Sequence, residues 1–273
     1  MSRLKCVLFD LDDTLVPEMG PEREALVVAC GLAAEKYGVN TKAMANTVGE
    51  AASELWGRWG KADLYSSIAY SGWEGLWGPP DLPDDGLGND PETVAHYKRD
   101  AWDAVLSRHG ISDADLRNAI IERHRRERIK RIKPYAGVKT LLTKVSTEYP
   151  LGIVTNGSPA VQRFKLERAG LAGYFSTVVA SGDVGVGKPD PRPFMTALRA
   201  LGVHPGEAVM IGNSWRGDVQ GANNLGMASI WFNQDSLQSG EGTPPTMEIS
   251  SLNQVPEILE TLGGIADIDV GAE

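Results

Sequence analysis

The sequence has few cysteines and lacks any long apolar run. Only two of its 273 residues are cysteines, Cys6 and Cys30, which is too few for a disulfide framework. No apolar stretch approaches the roughly 20 residues that a membrane-spanning helix needs. The first residues also lack the apolar stretch and small-residue cleavage site of a signal peptide. We therefore expect a cytoplasmic protein that does not associate with a membrane.

Positive charge is also scarce in this sequence. Its 27 Lys and Arg residues stand against 36 Asp and Glu, which gives a formal net charge of -9. A protein that binds nucleic acid polymers needs a basic surface to neutralise backbone phosphates, so we expect no nucleic acid partner. A small anionic ligand stays open, because a local pocket can oppose the net field.

Short apolar runs alternate with helical patterns over much of the chain. The predicted strands are 4–9, 151–154, 177–180, 208–211 and 228–232. The amphipathic segments 159–170 and 191–202 each end in glycine, which is a common helix stop. This alternation predicts an α/β fold with a doubly wound, Rossmann-like parallel sheet.

The stretch from residue 16 to 134 breaks this alternation. It contains helical patterns at 21–37, 41–60, 92–109 and 113–132, and a loop rich in Pro, Gly and Asp at 78–91. We expect an all-helical cap domain at 16–134, inserted into a core domain formed by 1–15 and 135–273. The insertion leaves the first strand at its carboxyl end, which is where ligands bind in open α/β sheets.

Two aspartates, Asp10 and Asp12, end the first predicted strand. An isolated Asp-x-Asp is more often a turn than a site, and Asp13 adds to that interpretation. A calcium loop is excluded, because Leu15 stands where the glycine of its sharp turn belongs.

A second polar group, Thr155-Asn156-Gly157, follows the second predicted strand. A hydroxyl, an amide and backbone N–H groups at a strand end, opening a helix, suit a phosphate oxygen. The alternative is a helix cap, since Ser158 and Pro159 resemble an N-cap and first helical residue. Both interpretations can hold at once.

Lys188 and Asp218 complete the set of candidate residues. Lys188 stands between a glycine and a proline, which constrain its backbone and allow its ammonium to be aimed. Residues 182–188 match the spacing of a P-loop, but the proline that follows has neither the hydroxyl nor the N–H that this loop needs. Asp218 has two interpretations. It either lies at the same edge of the sheet as Asp10, or it is an ordinary acid favoured near a helix start by the helix dipole. Together the four groups predict one pocket at the carboxyl edge of the sheet.

In this order the groups resemble the four signature motifs of the haloacid dehalogenase-like (HAD) superfamily. FDLDDTL at 9–15 resembles the first motif, 155–157 the second, 188–189 the third and 212–218 the fourth. The resemblance covers the whole predicted sheet domain, and the helical insertion resembles the C1-type cap of subfamily I. It implies an enzyme, a phosphatase acting on a small phosphorylated molecule.

The resemblance also implies roles for individual residues. Asp10 would be the nucleophile that takes the phosphoryl group. Asp12 would protonate the leaving oxygen and later deprotonate the water that hydrolyses the aspartyl-phosphate. Thr155 and Asn156 would hold phosphoryl oxygens, and Lys188 would neutralise the charge around Asp10 and the phosphate.

A magnesium ion is implied in the same way, bound by Asp218, Asp10 and the backbone carbonyl of Asp12. The physical reason is that a carboxylate and a phosphate dianion repel each other, so a hard cation must lie between them. Asn213 stands where many relatives carry a second acid, so it keeps an oxygen but loses a charge. Asn213 and Gly157 are expected to support the site without reacting.

Several alternatives stay open. A phosphomutase would use the same four motifs and return the phosphate to its substrate. A haloacid dehalogenase generally lacks the second aspartate of the first motif, so Asp12 argues against that activity. A receiver-like phospho-acceptor or a non-catalytic binding protein is a further hypothesis, against which the large insertion and the intact motifs argue. Nucleoside monophosphates, sugar phosphates and phosphoglycolate-like acids all fit as substrates.

Two features of the insertion have an ordinary structural interpretation. Five of the seven tryptophans of the chain fall within it: Trp56, Trp59, Trp73, Trp77 and Trp102. At helical spacing we expect them in a core or an interface, the alternative being a platform for a flat ring of the substrate. The run 123–133 carries seven Lys or Arg, and we expect a solvated helix face, the alternative being a surface that attracts anions.

Overall fold

A six-stranded parallel sheet forms the centre of the computed structural model, which describes residues 4–58, 62–78 and 91–264. Its strands are β1 (Cys6–Phe9), β2 (Leu151–Thr155), β3 (Thr177–Ala180), β4 (Ala208–Gly212), β5 (Ala228–Phe232) and β6 (Met247–Ile249). Their order across the sheet is β3-β2-β1-β4-β5-β6. The order changes direction between β1 and β4, as in a doubly wound sheet, so the predicted fold class is confirmed.

The three strands at the middle of the sheet are buried along their whole length. Every residue of β1, β2 and β4 is buried, which is why the sequence shows them as continuous apolar runs. In register, Phe9 of β1 pairs with Ile153 of β2 and with Ile211 of β4. Because the strands are parallel, the residues that follow them meet at one edge.

The edge strand β6 has no signal in the sequence. It is three residues long, and only Ile249 is buried. A strand this short and this exposed shows no period that distinguishes it from a loop.

The helices between β1 and β2 in the described ranges are α1 (Met19–Tyr37), α2 (Thr41–Trp56), α3 (Ala62–Ser67), α4 (Gly72–Trp77), α5 (Pro91–Arg108), α6 (Ala114–Lys130) and α7 (Val138–Val145). The sequence predicts the four long ones, and the shorter α3, α4 and α7 are additions. Most of the loop predicted at 78–91 lies outside the described residues.

The later helices follow β2, and all but the last of them lie between strands. They are α8 (Pro159–Ala169), α9 (Ser181–Val184), α10 (Pro191–Leu201), α11 (Gly221–Asn223) and α12 (Val255–Gly264). α8 and α10 end at Gly170 and Gly202, both of which adopt the left-handed conformation that favours glycine. Glycine therefore stops both helices where the sequence predicts.

The long inserted helices bury an apolar cluster of their own. Leu26 of α1, Met44 of α2 and Trp102 of α5 belong to this cluster. Ile68 and Trp77, from the α3–α4 segment, belong instead to the cluster that packs around the sheet. A separate core is what an independent domain requires, and on this basis we propose the division of the chain at residues 16 and 134.

The two connections between the insertion and the sheet run side by side, since the N–H of Tyr135 donates to the carbonyl of Leu15 at 3.0 Å. Within the described ranges, no helix combines the length and the apolar character needed to cross a bilayer. Cys6 and Cys30 are both buried free thiols.

Candidate active site

The ammonium group of Lys188 joins two buried carboxylates at the carboxyl edge of the sheet. Its Nζ lies 2.6 Å from Asp10 Oδ1 and 2.6 Å from Asp218 Oδ1, and it also donates to the Val154 carbonyl at 2.8 Å. Asp10 directly follows β1, Lys188 follows α9, and Asp218 lies in the turn after β4. Residues from three predicted motifs therefore meet at one ammonium group.

Burial and charge together set the protonation of this cluster. Burial raises the pKa of Asp10 to about 7 against the pull of the Lys188 ammonium, and the Asp218 carboxylate adds to the rise. Burial works against the charge of Lys188, but Asp10 and Asp218 outweigh it and raise the pKa of the lysine. When both acids are ionised, two negative charges share one positive charge, and the cluster favours a further cation.

Thr14 supports the Asp10 carboxylate from its other side. Its hydroxyl lies 3.1 Å from Asp10 Oδ2 and 3.2 Å from Asn213 Oδ1, and it accepts the N–H of Asn213 at 3.0 Å. Asp10 thus has one carboxylate oxygen on Lys188 and the other within reach of Thr14. Both contacts limit the rotation of the carboxylate.

The Asp12 carboxylate is held by two side chains of α8. Lys165 Nζ lies 3.0 and 2.9 Å from its two oxygens, and Gln162 Nε2 donates to Oδ2 at 3.1 Å. The same two side chains also donate to Glu74 of α4, Gln162 at 2.7 Å and Lys165 at 3.1 Å. Asp12 is therefore fixed by groups other than those that hold Asp10.

The Thr155-Asn156-Gly157 loop contacts the rest of the site through its side chains. The Thr155 hydroxyl donates to Gln162 Oε1 at 3.3 Å. Asn156 Oδ1 accepts the backbone N–H of Lys188 at 2.8 Å, and its Nδ2 donates to the Lys188 carbonyl at 3.4 Å. The Asn156 amide thus holds the backbone of Lys188, a contact that the sequence did not indicate.

The α3–α4 segment lies against the loops that carry these residues. The Ser67 carbonyl accepts the N–H of Gly187 at 2.7 Å, and the Ile68 carbonyl accepts the N–H of Gly157 at 3.2 Å. The Ser181 hydroxyl donates to the same Ile68 carbonyl. The Gly157 N–H, which from the sequence could face a phosphate, is therefore shared between the Ile68 carbonyl of the inserted segment and the Ser181 hydroxyl, the latter at 2.8 Å.

Asp218 lies in a π-helical turn, Trp215–Gln220, and Ser214 is the N-cap of this turn. The N–H of Ser214 donates to Asp218 Oδ2 at 2.9 Å while Oδ1 accepts from Lys188. Asp218 is thus both an acid near a helix start and a member of the site, so the two interpretations of the sequence hold together.

The oxygen donors at this edge suit a hard divalent cation. Asp10 and Asp218 supply carboxylates, and the loops that carry them also contain the carbonyl of Asp12 and the amide of Asn213. Mg²⁺ usually takes one or two carboxylates and completes its shell with phosphate oxygens and water. Among the described residues no group of three or more His, Cys, Asp or Glu side chains is arranged to hold a metal ion by itself.

A cavity of about 410 Å³ opens beside this centre. Asp13, Arg23, Tyr135 and Phe232 contribute to its walls. Of the predicted site residues, which all lie in the described ranges, Asn213 alone lines the cavity. The cavity therefore lies next to the Asp10 centre, and the Asp10 centre is not part of it.

Four residues at the site are absent from the predictions made from the sequence: Thr14, Glu74, Gln162 and Lys165. Thr14 stands inside FDLDDTL, so the motif contains it. Gln162 and Lys165 are three residues apart on α8, which puts them on one helix face. Glu74 completes a capping box with Ser71, but that local signal says nothing about Asp12.

The tryptophans of the insertion that the structure describes are packing residues. Trp77 and Trp102 are buried, and Trp56 stacks on Tyr65 with ring centroids 4.6 Å apart. Trp59 lies outside the described residues. The expectation of a core role is therefore confirmed for Trp77 and Trp102.

Two basic side chains of the run 123–133 form ion pairs, although we expected the run to be a solvated helix face. Arg128 is buried and pairs with Glu18 at 2.5 Å, and Arg131 pairs with Glu127 at 2.5 Å. The prediction of a solvated face is wrong for Arg128, because this side chain ties α6 to the start of α1.

Comparisons with known proteins agree with the geometry. Residues 4–226 match the family model for haloacid dehalogenase-like hydrolases. A phosphoserine phosphatase of Thermus thermophilus is 32% identical over 255 residues, covering 92% of this chain and 98% of the relative. The N-acylneuraminate-9-phosphatase of Homo sapiens is 26% identical over 266 residues, covering 96% of each chain.

Solved structures show the same fold. A 2-haloacid dehalogenase from Pseudomonas syringae pv. Tomato DC3000 superimposes with a TM-score of 0.63 at 25% identity, covering 94% of this chain and 99% of that one. Together with the match to the family model, this likeness confirms the resemblance that the four motifs indicate.

Proposed function

Because this chain belongs to the haloacid dehalogenase-like hydrolase family, we propose that it is a Mg²⁺-dependent phosphatase that acts through a phosphorylated Asp10. Its substrate is a phosphomonoester of a small molecule. The observation that carries the proposal is the position of Lys188 Nζ, 2.6 Å from both Asp10 and Asp218. The names of the two phosphatase relatives support it.

In the first step a carboxylate oxygen of Asp10 forms a bond to phosphorus while the bond from phosphorus to the ester oxygen breaks. Asp12 gives its proton to that departing oxygen. Positioned proton transfer of this kind typically contributes about 10²- to 10⁴-fold in rate. Lys188 stays charged and balances the negative charge on the transferring group.

In the second step the oxygen of a water molecule forms a bond to phosphorus while the aspartyl–phosphate bond breaks. Asp12 takes the proton of the water, Asp10 regains its carboxylate and inorganic phosphate leaves. Forming a covalent intermediate divides one difficult displacement into two easier ones. The hydroxyl of Thr155, which would turn from Gln162 to the substrate when it binds, and the backbone at Asn156 hold phosphoryl oxygens in both steps.

Asp10, Asp218 and the carbonyl of Asp12 would hold the Mg²⁺ ion. When bound, the ion neutralises the repulsion between the carboxylates and the phosphate dianion. Asn213 and Gly157 support these groups without reacting. The cytoplasm is the proposed location, which the two buried free thiols support.

The comparison with a dehalogenase raises the question of carbon–halogen cleavage. The contacts of Asp12 favour phosphate chemistry, because its carboxylate is held by Lys165 and Gln162 beside the Asp10 centre. The first proposed step needs a proton donor and the second a proton acceptor, and Asp12 serves as both.

The experiment is phosphate release from a panel of phosphomonoesters, with Mg²⁺ and with EDTA. We expect turnover of one or more esters in Mg²⁺, none in EDTA, and none for Asp10→Asn. The matched control is Asp115→Asn, an exposed acid of α6, which should behave as wild type. Lack of turnover of every ester by a folded, Mg²⁺-binding wild type would contradict the proposal and favour a mutase or a binding role.

A further inference from the structure

Two side chains outside the four motifs contact Asp12, and a third side chain holds both of them. Lys165 is fully buried and contacts both oxygens of the Asp12 carboxylate. Gln162, one turn earlier on α8, is also fully buried and contacts one of these oxygens. Glu74 reaches the same two side chains from α4. The carboxylate of Asp12 is thus bound by groups that are themselves held in place.

The hydrogen bonds of Gln162 allow only one orientation of its amide. Its NH₂ group donates to Asp12 at 3.1 Å and to Glu74 at 2.7 Å, and its carbonyl faces the Thr155 hydroxyl at 3.3 Å. An amide has two N–H donors and one carbonyl acceptor, and here both ends have partners. A flipped amide would place its carbonyl against two carboxylates.

The ion pairs of Lys165 are not explained by a gain in folding stability. Its ammonium is buried with three carboxylates, at 2.9 Å from Asp12, 3.1 Å from Glu74 and 3.4 Å from Glu18. Buried ion pairs contribute little net stability, because desolvation offsets their attraction. The arrangement instead determines where the Asp12 carboxylate lies.

We propose that Gln162 and Lys165 are positioning residues that hold Asp12 in its reactive orientation, and that Glu74 anchors both of them from the inserted helices. This inference rests on the proposed function, in which Asp12 moves the proton. Both residues act through Asp12. Their side-chain polar contacts are with Asp12, Glu74, Glu18 and Thr155, and neither has a described contact with Asp10 or Lys188.

The leaving group of the substrate provides a specific readout. An alkyl oxygen leaves only when it is protonated, so an alkyl phosphate depends on a well-placed Asp12. The p-nitrophenolate ion leaves without a proton, so p-nitrophenyl phosphate phosphorylates Asp10 without that help. Hydrolysis of the aspartyl-phosphate needs Asp12 as the base with either substrate. A misplaced Asp12 therefore slows the alkyl ester in the first step and the aryl ester in the second.

The variants are Gln162→Leu and Lys165→Met, with Lys165→Arg as the charge-conserving variant. The control is Arg163→Gln, on the same helix but exposed and paired with Asp183. We expect kcat on an alkyl phosphate to fall about 10²-fold in the first two variants, since small misplacement of a catalytic group costs that much. With p-nitrophenyl phosphate, both should release a burst of nearly one p-nitrophenolate per active site.

The outcomes separate the two proposals. Wild type that hydrolyses no ester contradicts the proposed function, whatever the variants do. Active wild type whose variants lose equal activity on both esters without a burst, or lose none, overturns the positioning inference. Partial recovery in Lys165→Arg supports it. Thermal melting verifies folding, and if Lys165→Met does not fold, the burst and the alkyl-to-aryl ratio of Gln162→Leu decide the question.

Discussion

The side-chain amide of Asn156 is bonded to the backbone of Lys188, with Oδ1 accepting the lysine N–H at 2.8 Å. Asn156 follows β2 and Lys188 precedes α10, so this contact joins the loops of two motifs. The ammonium reaches Asp10 and Asp218 from the backbone position that the amide fixes. The position of the Lys188 ammonium therefore depends on Asn156, which contacts the lysine backbone and not its charged group.

We expect Asn156→Ala to lower kcat about 10- to 100-fold. The substitution removes the contact that fixes the backbone of Lys188, and a small misplacement of a catalytic group can cost about 10²-fold in rate. Steady-state kinetics on the best ester of the panel would measure it. Asn118→Ala, at an exposed position of α6, is the control. An unchanged kcat in Asn156→Ala would show that Lys188 keeps its aim without the amide.

The buried Asp10 predicts a pH-dependent stability in the metal-free protein. Its pKa is about 7 when folded and about 3.9 when unfolded. The folded state therefore binds the proton more tightly, and the stabilisation is present below about pH 4 and is lost as the pH rises to 7. The slope is about 1.4 kcal/mol for each pH unit in that window.

Asp10→Asn cannot ionise and should lose this pH dependence. Urea unfolding in EDTA at about pH 4.5 and 7.5 would measure the free energy of unfolding of both proteins. We expect the variant to gain stability relative to wild type at the higher pH. A constant difference between the two proteins at both pH values would contradict a raised pKa for Asp10.

We expect that a negative charge at position 213 increases the affinity for Mg²⁺. Its Oδ1 lies 3.2 Å from the Thr14 hydroxyl, which in turn contacts Asp10. Asn213→Asp adds a negative charge near the two carboxylates, so half-maximal activity should need less Mg²⁺ than in wild type. Asp218→Asn should need more. Titration of activity with Mg²⁺ would measure both, and equal requirements in wild type and Asn213→Asp would place residue 213 away from the ion.

The proposed cap domain predicts a change in protease sensitivity at its two connections. The α3 end is held to Gly157 and Gly187 by backbone hydrogen bonds, and a bound ligand should add contacts between the insertion and these loops. Limited proteolysis should therefore cut near 16–20 and 133–136 more slowly with Mg²⁺ and a phosphate analogue. Equal rates with and without these ligands would count against cap movement.

The positions of the main strands and of the four motifs could be predicted from the sequence. β3 and β5 match the predicted ranges 177–180 and 228–232, because strands of a parallel sheet covered by helices read as apolar runs. Asp10 and Lys188 could be singled out because each lies in a short motif bounded by a strand or by glycine and proline. Local order of residues was enough for these predictions.

The contacts among distant parts of the chain required the tertiary structure. Glu74 and Gln162 are 88 positions apart, and no local pattern connects a capping-box glutamate of α4 to a polar face of α8. The Ile68 carbonyl, one of the two acceptors of the Gly157 N–H, likewise lies just after α3, a helix too short to predict. Sequence patterns record which face of an element is buried, whereas the packing of the inserted helices against the sheet decides which buried polar groups meet.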